Sequence, residues 1–194
     1  MSPLVAWSVR LERFVSFFGR IAAWLSIPLM LVIVFDVVTR KLNLLQGSAL
    51  EGIVTSTKLQ ESEWHLHTVL FLFCLAWAYF HDAHVRIDLL RDRFSPRTKA
   101  WIELLGCLFF LVPYASMVAF YAWEFFWRSF IIDEGSSATT GLPNRWAIKF
   151  TLFWAFVLLL LAGVSMFLNR LAYLRGHAVP DHHGVDDAHR LHGK

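Results

Sequence analysis

The chain has 194 residues, of which 57 % are hydrophobic and 17 % are charged, and its formal net charge is +3. A soluble domain carries about 25 % charged residues, and a soluble chain this apolar would expose large hydrophobic patches and aggregate. The composition therefore excludes a free cytosolic enzyme, a disordered chain and a small disulfide scaffold. It indicates an integral membrane protein. The basic residues also lack the stripe with interleaved aromatics that a nucleic-acid groove needs.

Four apolar segments are long enough to cross a bilayer, which takes about 20 mostly apolar residues in a helix. They run from about 14 to 38, 61 to 81, 101 to 127 and 146 to 173. The first is too long for a cleavable signal peptide and no small-x-small cleavage site follows it, so we predict a signal anchor. The sequence therefore predicts an all-α membrane protein with four transmembrane helices in one domain, residues 1–175. Tryptophans near the span ends suit the headgroup layer: Trp64, Trp101, Trp127 and Trp146.

The basic residues lie mostly on one side of these spans. Twelve of the eighteen Lys and Arg, including Arg170, belong to the N-terminal end, the second loop or the C-terminal side, and six belong to the first and third loops. By the positive-inside rule, we expect both termini in the cytoplasm of a bacterial cell and the first and third loops outside its inner membrane.

The first loop contains a predicted amphipathic helix at about residues 49–59. Ser48 and Glu51 have the spacing of a capping box, and apolar residues follow from Leu50 at i, i+3, i+4 and i+7. We expect this helix to lie on the outer membrane surface or against a partner.

Acidic residues lie near the ends of the spans rather than at the bilayer centre. Asp36 precedes Arg40 by four residues and Glu124 precedes Arg128 by four, so each pair can meet on one helix face. Glu103 lies close to the start of the third span. This placement does not favour a proton or ion relay.

No set of residues in the sequence predicts catalysis, a cofactor or a metal site. A bis-histidine haem draws its ligands from two facing helices, whereas the histidines of the spans all belong to the second span or its edges. Cys74 and Cys107 lie in apolar stretches, and a contact between them stays open. The polar tail 176–194 is predicted to be a disordered cytoplasmic end, and its five histidines form no pair that predicts a specific metal site.

Three spaced motifs resemble the small membrane subunit of tripartite ATP-independent periplasmic (TRAP) transporters. Gln-Glu-Ser-Glu-Trp-His opens the second span at residues 60–65, and His-Val-Arg-Ile-Asp follows that span at 84–88. Gly-Leu-Pro at 141–143 precedes the fourth span, and the resemblance covers roughly residues 10–176. Many family members carry a basic residue where this chain has Trp64, so a salt bridge there cannot be assumed. The resemblance implies subunit-interface or structural roles for Glu61, Glu63, Trp64, His65, His84, Arg86, Asp88, Gly141, Pro143 and Trp146.

This resemblance implies a scaffold subunit in a three-part importer with no cofactor of its own. A periplasmic solute-binding protein delivers the solute, and a large membrane subunit with the substrate and sodium sites moves as an elevator. The Glu-Trp-His sequence is similar to a branch linked to organic acids and similar solutes. We expect the outer loops to dock the binding protein through Glu51, Lys58 and Asp133. Two alternatives stay open: a stand-alone small transporter and a redox membrane anchor.

A second expectation concerns the inner end of the second span. Arg86 and Asp88 are predicted to clamp this end against a neighbouring helix or the large subunit. The alternative is a solvated helix end in which Arg86 contacts the phosphates of membrane lipids.

Overall fold

The computed structural model describes residues 3–44, 53–81 and 94–178, and all of its regular elements in these ranges are helical. The all-α prediction is therefore confirmed for this part of the chain. The helices are α1 (Pro3–Trp24), α2 (Ser26–Lys41), α3 (Ser56–Phe80), α4 (Pro96–Gly106), α5 (Val112–Ile131) and α6 (Trp146–Leu174), and a π-helical turn, Cys107–Leu111, joins α4 to α5.

Three helical stretches are long and apolar enough to cross a membrane: Pro3–Lys41, Pro96–Ile131 and Trp146–Leu174. They contain the first, third and fourth predicted spans, and the fourth agrees with the prediction to within one residue. Helix α3 is not among them. The count of four spans therefore stays a prediction.

The predicted outer helix at 49–59 does not appear as a separate element in the residues that the structure describes. Residues 45–52, with the capping box at Ser48–Glu51, lie outside them. The chain from Ser56 onward already belongs to α3, so this helix begins five residues before the predicted second span. Thr55 caps this helix, because its hydroxyl accepts a hydrogen bond from the Lys58 amide at 3.3 Å.

Prolines lie beside the interruptions of two long helical stretches. The segment predicted as one span from 14 to 38 is divided at Leu25, which separates α1 from α2. Pro28 has no N–H for the carbonyl of Trp24, so the regular hydrogen-bond pattern cannot continue through this point. Pro113 likewise cannot bond the carbonyl of Phe109, and the π-helical turn lies directly before it.

Helix α6 lies at the centre of the bundle and contacts α1, α3, α4 and α5. Alanines at its interfaces allow close approach of the helices, as is usual in membrane bundles. Gly19 serves the same purpose between α1 and α3, because a Cβ atom there would lie 2.7 Å from Trp77 Cγ. The core consists of Val15, Ala76, Phe80, Ala115, Ala119, Phe156, Leu158, Leu159 and Ala162.

The two cysteines do not form a disulfide. Both thiols are free. Cys107 donates to the Gly163 carbonyl at 3.1 Å, between α6 and the π-helical turn. Cys74 lies near the Gly19 carbonyl of α1. The two residues therefore act as small packing residues on different faces of the bundle.

Candidate functional site

A polar cluster lies at one end of the bundle, where residues 132–145 connect α5 to α6; we call this the loop end. Glu61, in the second turn of α3, is 8 % exposed. Its carboxylate accepts hydrogen bonds from the Ser136 hydroxyl and from the Leu142 amide, the latter at 2.5 Å. Glu61 therefore ties the connecting loop to α3.

Gly141 makes this tie possible because its backbone approaches the carboxylate closely. A Cβ atom at Gly141 would lie 2.7 Å from Glu61 Oε2 and would also overlap the Ser136 side chain. Only glycine leaves room for both groups. The predicted motif residues Glu61 and Gly141 are thus in contact, although 80 residues separate them in the sequence.

Backbone hydrogen bonds within the loop also hold its two ends together. The Ser136 amide donates to the Leu142 carbonyl at 3.1 Å, and the Arg145 amide donates to the Glu134 carbonyl at 2.8 Å. Thr55, the cap of α3, donates its hydroxyl to the Thr140 carbonyl at 3.2 Å. These bonds give the loop a defined shape on top of the helices.

Glu134 and Lys149 form a salt bridge across the base of the loop. The Lys149 ammonium, together with the Ser129 hydroxyl, holds the pKa of Glu134 below its ordinary value of 4.5. The same ammonium lies 4.0 Å from the centroid of the Phe125 ring, a cation–π contact with α5. Glu134 therefore joins the loop to the first turn of α6.

Asp36 links α2 to α3 at the same end. It is 1 % exposed, accepts from the Ser56 hydroxyl at 2.9 Å and lies 3.0 Å from the Arg40 guanidinium. The predicted pairs Asp36–Arg40 and Glu124–Arg128 are both confirmed. The contact with Ser56 was not predicted, because nothing in the spacing of one helix indicates its neighbour.

Four other motif residues are described near this end of the bundle, and none of them bonds the Glu61 carboxylate. Trp64 is 58 % exposed and stacks on the ring of His65, with the ring centroids 6.5 Å apart. His65 Nδ1 donates to the Glu61 carbonyl. Glu63 Oε1 is buried and has no hydrogen-bond partner among the described residues. Trp146 begins α6 and packs edge-on against the ring of Phe130, 5.4 Å between centroids.

The remaining predicted residues fall into two groups. Pro143 and Asp133 are exposed in the loop, and Asp133 has a positive φ of 48°. Lys58 is half-buried, and its ammonium donates to the Ile53 carbonyl at 3.1 Å. Four lie outside the described residues: Glu51, His84, Arg86 and Asp88.

A cavity of about 610 Å³ opens beside the polar cluster, between α3, α5 and α6. Charged and imidazole groups lie at its loop end, and aromatic and aliphatic side chains line the deeper part. The lining consists of Glu61, Trp64, His65, His67, Thr68, Phe71, Leu72, Phe125, Glu134, Arg145, Ile148, Lys149 and Leu152.

A buried ion pair at the opposite end was missed by the sequence analysis. Arg170 was counted with the basic residues of the C-terminal side, but its side chain is 4 % exposed and its Nε lies 2.6 Å from Glu103 Oε2. Ser165 donates to the Ser8 carbonyl at 2.8 Å nearby. The signal was present in the sequence, because Glu103 and Arg170 lie at similar depths from the same end of antiparallel spans.

The family model for the DctQ component of tripartite ATP-independent periplasmic transporters matches residues 29–172. This range begins in α2 and ends in the last turn of α6, so it includes the whole polar cluster of the loop end. No curated protein and no solved structure matches the chain significantly.

Proposed function

The chain belongs to the DctQ family of TRAP transporter components, and we propose that it is the fixed scaffold subunit of a three-part importer. It is thus a small subunit of a transporter, and its family is not an enzyme family. The match over residues 29–172 is the observation that supports the proposal most directly. Family membership does not favour the two alternatives, a stand-alone transporter or a redox anchor.

The scaffold role is supported by polar contacts at both ends of the bundle. At the loop end, Glu61 joins the connecting loop to α3, and Asp36 joins α2 to α3. At the other end, the ion pair of Glu103 and Arg170 joins α4 to α6. Breaking a buried pair of this kind is costly, so these contacts oppose relative movement of the helices. Such a subunit suits a fixed support, while the large subunit of the complex moves and carries the solute and sodium. The solute we propose is an organic acid or a similar compound.

Helix α3 is proposed to be the second of four membrane spans. Its 25 residues, about 37 Å long at 1.5 Å per residue, match the thickness of a bilayer. It runs beside α1 and α2 from the Trp77–Gly19 contact to the Ser56–Asp36 bond. With both termini in the cytoplasm, the loop end faces the periplasm.

The loop end is proposed to dock the solute-binding protein. Asp133 is exposed there, and Lys58 lies on the first turn of α3; Glu51 belongs to the same proposed surface. Charge reversal at these three positions should lower solute uptake while the chain still assembles in the membrane. Unchanged uptake in all three variants would remove this surface from the docking proposal.

The segment at His84, Arg86 and Asp88 is proposed to clamp the inner end of the second span. Arg86→Ala or Asp88→Ala should lower both recovery of the complex and transport. The isolated binding protein is a separate chain, so its solute affinity should not change. Normal assembly and transport in both variants would contradict the clamp.

Co-purification tests the scaffold proposal as a whole. The chain, tagged and co-expressed with the neighbouring large subunit, should be recovered with it in fixed stoichiometry after extraction in a mild detergent. Uptake should require both membrane subunits and the binding protein. Recovery of the chain only as a homodimer that transports solute by itself would contradict the proposal.

A further inference from the structure

The cavity at the loop end has the shape and polarity of a site for one membrane lipid. We propose that it binds a zwitterionic phospholipid, with the headgroup beside Arg145 and Glu134 and one acyl chain along the aromatic wall. This inference goes beyond the scaffold role. It requires only that the chain lie in a membrane, so its test does not depend on any partner subunit.

The depth of the cavity matches one leaflet of a bilayer. It extends along α3 from Glu61 to Phe71, ten residues or about 15 Å at 1.5 Å per residue. Half of a hydrocarbon core about 30 Å thick is the same length. The cavity therefore begins where lipid headgroups lie and ends near the bilayer midplane.

The deeper wall faces the surface of the bundle rather than its core. Trp64, Thr68 and Phe71 share one face of α3 at spacings of four and three residues. Phe71 is 58 % exposed, and Phe125, on the facing helix α5, is 50 % exposed. Leu152 and Ile148 of α6 form the floor between them. An acyl chain can enter such a groove sideways from the bilayer and cover this apolar surface.

The polar end contains equal numbers of positive and negative groups. Glu61 and Glu134 carry one charge each, and Arg145 and Lys149 balance them. Within the described residues, Lys149 is paired with Glu134, whereas the Arg145 guanidinium makes no side-chain hydrogen bond or salt bridge. Arg145 interacts electrostatically with Glu61 and Glu134, but its N–H donors make no hydrogen bond to them. These donors can contact a phosphate with two parallel hydrogen bonds. The Glu61 oxygens already accept bonds from Ser136 and Leu142, and Glu134 is paired with Lys149, so the polar end is neutral in sum. Such an end suits a headgroup that is also neutral in sum better than an anionic one.

Native mass spectrometry of the full-length chain can detect the lipid. The chain is reconstituted in vesicles of equal parts phosphatidylethanolamine and phosphatidylglycerol, extracted in a mild detergent and washed. We expect a single retained phospholipid per chain, with phosphatidylethanolamine preferred. Arg145→Gln should lower its occupancy about tenfold, the usual effect of losing one charge-assisted contact. Leu152→Trp should lower it by a similar factor, since the larger ring occupies the floor of the groove.

Matched variants separate this site from lipid bound elsewhere. Arg128→Gln removes an exposed guanidinium of α5 outside the cavity lining, and Val164→Trp adds the same ring to an exposed position of α6. Both should retain the phospholipid at the wild-type level. Three results would overturn the proposal: no retained lipid in the wild-type chain, equal retention in Leu152→Trp, or equal binding of phosphatidylglycerol. A photoreactive amino acid can also replace Phe71. If it crosslinks to a protein helix instead of to lipid, the proposal is overturned.

Discussion

Removing the charge of Glu61 should open the connecting loop while leaving the helices in place. The carboxylate accepts two hydrogen bonds, from the Ser136 hydroxyl and the Leu142 amide. A hydrogen bond to a charged group contributes about 1.5–3 kcal/mol and one between neutral groups about 0.5–1.5 kcal/mol. Glu61→Gln keeps the size of the side chain and loses the charge on both bonds. The loss is therefore about 2–3 kcal/mol in the free energy of opening the loop.

Hydrogen exchange measures this opening directly. A loss of 2–3 kcal/mol should speed amide exchange of residues 134–142 by about 30- to 140-fold, because each 1.4 kcal/mol corresponds to tenfold. Glu61→Ala removes both acceptors and should have a larger effect. Amides in the middle of α6 should keep their protection in both variants, since their hydrogen bonds lie within the helix.

Glu124→Gln is the matched control, because it also removes one carboxylate at the same end of the bundle. The Glu124 side chain is 45 % exposed in its pair with Arg128, and exposed pairs contribute little. Its exchange profile in the loop should match that of the wild-type chain. Unchanged loop exchange in Glu61→Ala would show that the loop does not depend on this carboxylate, and the proposed role of Glu61 would then be wrong.

Three further predictions concern the same two ends of the bundle. Gly141→Ala should destabilise the loop by about 1–3 kcal/mol through overpacking, whereas Gly135→Ala, which has no atom within 4 Å of its added Cβ, should leave loop exchange unchanged. Arg170→Gln should lower the free energy of unfolding by about 3–5 kcal/mol and Glu103→Gln similarly, because each breaks a buried ion pair by removing one of its two charges. Equal thermal stability of all three chains would contradict a buried pair. Protonation of Glu134 should weaken the loop in acid. The pKa of Glu134 is lowered in the folded chain, so its salt bridge with Lys149 stabilises the loop fully above pH 4.5, and this stabilisation is lost as the pH falls through the folded pKa. Proteolysis of the loop at pH 6 and at pH 3 can measure the difference.

The sequence was sufficient to predict the helical class and the last span almost to the residue. The run from Phe150 to Leu168 contains no charged residue, and no other signal competes with it. Glu61 and Gly141 were identified as motif residues through the family resemblance. Their mutual contact could not be predicted, because it depends on how the loop folds back over α3.

Other features depended on three-dimensional packing or on prolines within apolar runs. The run of apolar residues predicts one continuous helix for the first span, whereas Pro28 interrupts the helical hydrogen bonds after Trp24. The similar depth of Glu103 and Arg170 could be derived from the predicted spans, but that their two helices pack against each other could not. The predicted span begins at Glu61, whereas α3 begins at Ser56, because the polar residues after Ser56 lower the hydropathy of the first turns of this helix.

The hydrogen bonds of Glu61 also have a consequence for the order of events during synthesis. Asp36 meets its partner Ser56 after only 20 more residues have been made, so the α2–α3 hairpin can form early. The two donors to Glu61 lie 75 and 81 residues further along the chain. While the third span is being inserted, the Glu61 carboxylate therefore has neither of them and must stay hydrated at the membrane surface. Its position near the start of α3 allows this delay, whereas the same carboxylate three turns deeper would enter the bilayer before its partners existed.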